Sequence, residues 1–158
     1  MKLNEGSLWR IGEIMIQKGW LTWAQLNDAL SLHESTGRKT GEILVETGLV
    51  TRRNVFRALA VQHGMAFGDL QTVIPQQEAL TMIPKRLAYQ YQILPLVLRE
   101  HMLLIAVGDP LNLWLEKEIQ TLTQIIDVRS VLSPPQDIET ALEKYYGREG
   151  ITFTRQAG

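Results

Sequence analysis

The chain has 158 residues, 45% of them hydrophobic, and no cysteine. A globular core can form, while disulfides, thiolate catalysis and thiolate metal sites are excluded, as expected of a reducing cytoplasm. A formal charge of −1 argues against a general nucleic-acid binder.

The charge divides mildly along the chain. Residues 1–63 carry 8 Lys/Arg against 6 Asp/Glu, and residues 64–158 carry 8 against 11, which favours a small anionic ligand on the first half. No apolar run approaches the ~20 residues that cross a bilayer. Residues 1–6 lack the apolar segment of a signal peptide.

An internal repeat organises the first half. The stretch 10–22 aligns with 39–51 at a constant offset of 29, pairing Gly12 with Gly41 and Gly19 with Gly48. The register continues through Leu26 with Val55, Leu30 with Leu59, and His33 with Gln62. Each copy reads as two short helices. The first runs from near Gly12 or Gly41 to Gly19 or Gly48, which suit C-caps. Thr22 or Thr51 is an N-cap for the second, whose apolar pair, Leu26 and Leu30 or Val55 and Leu59, falls on one face. Thr36-Gly37-Arg38 breaks the copies apart. Packing accounts for the aliphatics and glycines. It does not account for a basic residue two before each glycine, Arg10 or Lys39, or for the polar closing residues His33 and Gln62.

After Gly64 the periodicity changes. Residues 65–70 read as a short extended piece, and 75–91 as a helix broken or kinked at Pro84. Residues 93–98 and 102–107 read as a β-hairpin, followed by a turn at Gly108-Asp109-Pro110. A helix over 111–123, a strand over 125–132 and a helix over 136–146, stopped by Gly147, complete the order. The expected fold is α+β: an all-helical tandem-repeat subdomain over 1–63, a small α/β subdomain with a roughly three-stranded sheet over 64–147, and a loose tail over 148–158.

The motifs of common enzymes are missing. There is no phosphate-binding loop of Walker type, nucleophile elbow, zincin helix or EF-hand,. His33, His63 and His101 have no metal-ligand spacing, and Glu116 and Glu118 read as a solvated helix face. No enzyme, cofactor or metal is expected.

Both copies resemble the MshEN domain, the N-terminal domain of type II secretion and type IV pilus assembly ATPases. Its signature is two 24-residue motifs, R-L-G-x-x-L-V-x-x-G-L-I-x-x-x-x-L-x-x-x-L-x-x-Q, separated by five residues. Here the copies are 10–33 and 39–62, joined by 34–38. The segments 82–88 and 104–110 are similar to the family's L-I-P-E-x-x-A helix and its strand and D-P turn.

The resemblance implies cyclic di-GMP as ligand, with one copy presented to each half of a pseudo-symmetric dinucleotide. It implies a binding set of Arg10, Ile11, Gly12, Gly19, Leu26, Leu30, His33, Lys39, Thr40, Gly41, Gly48, Val55, Leu59, Gln62 and Asp109. Within it, Arg10 would set its fork on guanine O6 and N7. Gly12 and Gly41 would let backbone approach, aided by free N–H groups near the helix starts. Leu26, Leu30, Val55 and Leu59 would supply apolar walls, and His33 and Gln62 would close each side. The sequence departs from the family at Lys39 for Arg, His33 for Gln and Thr40 for an aliphatic residue; lysine cannot reproduce a planar fork. The implied partners are a secretion or pilus ATPase or a membrane glycosyltransferase, in the same parent chain or separate from it, and an inner-membrane protein. The alternative is a docking module that binds no nucleotide.

Overall fold

In the computed structural model, residues 5–150 are described, with side chains from Arg10 onward. Of the tail expected at 148–158, residues 151–158 lie outside the described residues, as do residues 1–4 of the N-terminus.

Four helices form the first half: α1 (Glu5–Gln17), α2 (Trp23–Thr36), α3 (Thr40–Glu46) and α4 (Arg52–Gln62). The threonine caps form as the sequence indicates. Thr22 accepts from Gln25 N and donates its own N–H to the Gln25 side chain, a complete capping box,. Thr51 Oγ1 accepts from Asn54 N at 3.1 Å. Gly19 and Gly48 both adopt φ +75°, a left-handed conformation that costs glycine least. The helices pack across the copies: α1 lies along α4, and α2 along α3. Ile11, Met15, Leu26, Ile43, Leu44 and Leu59 are buried in one shared core.

The copies do not start alike. α1 is already helical from Glu5, so Arg10 and Gly12 lie inside it, and the free N–H groups expected near Gly12 are committed to the preceding turn,. α3 starts at Thr40, with Lys39 as its N-cap.

The second half contains α5 (Gln77–Met82), α6 (Lys85–Tyr91), β1 (Leu94–Arg99), β2 (Met102–Val107), α7 (Leu115–Thr123), β3 (Asp127–Leu132) and α8 (Pro135–Tyr146). Pro84 divides the helix expected over 75–91: Ile83 before it is extended, and Pro84 caps α6,. β1 and β2 pair antiparallel, with Leu98 opposite Leu103. β3 joins β2 in parallel after the α7 crossover, giving the order β1-β2-β3. The helix expected from residue 111 begins instead at Leu115, because Asp109 Oδ1 holds Leu111 N at 2.9 Å in a turn,. β3 starts two residues later than expected, after Gln124 turns the chain at φ +59°. Leu103, Ile105, Ile119, Ile138 and Leu142 form the heart of the second core.

The two cores meet at Leu132, which closes β3 but packs with the helices. Its N–H donates to Ala66 O and its carbonyl accepts from Gly68 N. Above this seam, Arg53 pairs with Asp69 at 3.2 Å and Arg57 lies over the Phe67 ring.

At the far end, the Tyr146 hydroxyl reaches Leu80 O at 2.8 Å and Ile83 O at 3.0 Å, tying α8 to α5. Burial pushes its pKa up to about 12. Tyr146→Phe is expected to cost about 1–2 kcal/mol in urea unfolding at neutral pH. An unfolded tyrosine ionises near 10, whereas the folded one keeps its proton to about 12. High pH therefore favours the unfolded chain: this contribution is intact below pH 10 and is lost as pH rises through 12. Tyr146→Phe should lose that part of the alkaline sensitivity.

Candidate ligand-binding site

A cavity of about 550 Å³ opens among the four helices of the first half. From the first copy it takes Ile11, Met15, Leu26 and His33. From the second it takes a larger share: Lys39, Thr40, Gly41, Glu42, Leu44, Val45 and Glu46 around α3, and Arg52, Val55 and Phe56 on α4.

The asymmetry has a local cause. A side chain at position 12 would meet Leu26 Cδ2 at 2.6 Å, so Leu26 fills the space beside Gly12. The equivalent pair in the second copy is Gly41 and Val55, and there the nearest atom is Val55 Cγ1 at 3.9 Å. Valine is one carbon shorter than leucine, and the second copy keeps open the space that the first copy fills.

The wall is mainly aliphatic, with charges at its rim. Lys39 and Arg52 supply positive charge, and Glu42 and Glu46 negative. Glu46 forms an ion pair with Arg38, both exposed, so the pair adds little stability. His33 Nδ1 lies 2.6 Å from Arg38 O. A carbonyl only accepts, so Nδ1 carries the proton and the neutral ring offers Nε2 as an acceptor. Among the described residues no group of three or more His, Cys, Asp or Glu is placed to hold a metal.

Seven of the residues singled out from the sequence line this cavity: Ile11, Leu26, His33, Lys39, Thr40, Gly41 and Val55. The others lie elsewhere. Arg10 is exposed on α1, and Gly12 is buried under Leu26. Gly19 and Gly48 are exposed at helix ends, Leu59 is buried in the core, and Leu30 and Gln62 are half-buried. Asp109 sits in the other half, beside a smaller cavity of about 220 Å³ with Tyr91, Asn112 and Pro135. The sequence reading missed Met15, Glu42, Leu44, Val45, Glu46, Arg52 and Phe56. Helical spacing held the signal for several: Leu44 lies four after Thr40, and Met15 four after Ile11.

The family model of the MshEN domain matches residues 63–152. The chain belongs to the MshEN domain family. That match begins where α4 ends and covers the α+β half, whereas pairwise similarity extends over most of the chain. The type IV pilus assembly ATPase PilB of Myxococcus xanthus is 24% identical over 141 residues, 89% of this chain and 25% of that protein. Bacteriophage adsorption protein B of Escherichia coli K12 is 26% identical over 144 residues, 90% of this chain and 19% of that protein. This MshEN domain thus spans a quarter or less of the length of those relatives. The solved structure of MshE with cdg superposes with TM-score 0.63 at 24% identity, covering 87% of this chain and 99% of that one. The N-terminal domain of XpsE superposes with TM-score 0.55 at 19% identity, covering 93% and 100%. The expected α+β fold, helical repeats before a three-stranded sheet, is the fold observed.

The packing asymmetry is directly testable. Gly12→Ala should destabilise the domain by about 1–3 kcal/mol, since the new methyl must displace Leu26. Gly41→Ala should be neutral, or stabilising by up to about 1 kcal/mol. Parallel thermal melts of the two variants separate these outcomes.

Proposed function

We propose that this MshEN domain is a non-catalytic, cytoplasmic sensor that binds cyclic di-GMP and regulates an attached or partnered machine, a secretion or pilus ATPase or a membrane glycosyltransferase. The observation that carries the reading is the convergence of seven tandem-motif positions on one cavity of about 550 Å³, a volume suited to a ligand of this size. MshE was solved with cdg, which we read as cyclic di-GMP. The chemistry of the lining suits such a ligand. Lys39 and Arg52 answer the two phosphodiester charges, while Leu26, Val55 and the Phe56 ring offer apolar surface to the base faces,. His33 Nε2 is an acceptor for a base N–H.

A second reading, a protein-docking module, is favoured by a different surface. Leu111, Leu113, Trp114, Leu122 and Ile126 are exposed around α7, Leu113 at 87%. A protein partner, such as the cytoplasmic segment of an inner-membrane protein, would cover apolar groups of this kind.

Titration calorimetry on the purified chain is expected to give one cyclic di-GMP per chain. Lys39→Ala and Arg52→Ala should each weaken binding about tenfold, the loss of one charge-assisted contact. No heat at about 500 µM ligand, where even a millimolar site is partly filled, would overturn the sensor reading. Partner capture that is indifferent to the nucleotide would then leave docking.

A further inference from the structure

Thr40 is the place where the cavity wall breaks its own chemistry. Among the described residues only two polar side chains other than an aromatic one are buried, Thr40 at 2% exposure and Ser133. Ser133 is satisfied, its hydroxyl donating to Gly68 O at 2.6 Å. Thr40 Oγ1 is buried and has no hydrogen-bond partner among the described residues.

The position explains the orphan. A threonine inside a helix can return its hydroxyl to the carbonyl of the preceding turn. Thr40 is the first residue of α3, so no helical turn precedes it. Its repeat equivalent, Ile11, is aliphatic and equally buried. An unpaired buried hydroxyl destabilises a fold where valine, the same shape without the oxygen, would not.

We infer that Thr40 is the specificity-determining polar anchor of the cavity, its hydroxyl pairing with a hydrogen-bonding edge of the bound nucleotide. Rotation about χ1 between staggered wells exchanges the places of methyl and hydroxyl, and a ligand that supplies a partner stabilises the rotamer that presents the oxygen. The anchor exists only in the second copy. The two halves of a pseudo-symmetric dinucleotide are therefore read differently, one against Ile11 and one against Thr40. A purely apolar occupant, such as the greasy face of a partner helix, would leave the hydroxyl unpaired and is selected against.

The inference rests on the nucleotide-binding reading, and its test separates the two. Thr40→Val and Thr40→Ser are compared with the unmodified chain by thermal melting without ligand and by calorimetry with cyclic di-GMP. Thr40→Val should melt about 2–4 °C higher yet bind about tenfold more weakly. Thr40→Ser, which keeps the oxygen, should bind like the unmodified chain. If the unmodified chain and Thr40→Val bind equally well, the anchor is refuted while the sensor reading stands. If the unmodified chain does not bind cyclic di-GMP, both fall.

Discussion

Leu26 lies against Gly12 with its methyl groups in the space that any larger residue at position 12 would need. That contact seats a side chain of α2 directly on the backbone of α1, and α1 in turn lies along α4. The interleaved arrangement means that neither copy of the repeat owns its core: Ile11 and Met15 share one cluster with Leu44 and Leu59. Everything described for the cavity follows from the failure of the same contact to recur. Val55 stands where a second leucine would have closed the space beside Gly41. A duplicated sequence has thus produced one filled and one open site.

Much of this was legible in the sequence, and for a definite reason. Local signals with steep physical penalties were read correctly: Thr22 and Thr51 at helix starts, Gly19 and Gly48 at positive φ, the break at Pro84, and the two apolar strands on either side of residue 100. The order of the elements was read from the same local signals, and the family resemblance added the ligand and its implied binding set. What stayed hidden depended on which helices touch. Periodicity places Phe56 and Arg52 on one face of α4, yet it does not say that this face borders α3. The start of α1 was also out of reach, because the repeat alignment implies equal helix starts and tertiary packing does not respect it. Asp109 illustrates the opposite case. The turn it forms was evident from Gly108-Asp109-Pro110, but its position beside a separate cavity near Tyr91 depends on the whole α+β half.

The two halves are chemically distinct but not independent. The first is a helical cluster with a mostly aliphatic cavity, and the second a three-stranded sheet carrying an exposed apolar surface around α7. α4 belongs to both settings. Arg52, Val55 and Phe56 line the cavity, while Arg53 and Arg57 contact Asp69 and Phe67 on the segment leading to the sheet. One helix therefore carries the cavity wall and the seam between the cores, and a change in its position is felt at both.

Leu132 bears on the order of events on the ribosome. It is fully buried and belongs to the core of the first half, although it is separated from α4 by some seventy residues of chain. Nascent proteins tend to fold from the N-terminus as units emerge. Here the four helices lack one of their buried side chains until β3 has been synthesised, so the early-emerging half completes its interior only when the later half arrives to supply it.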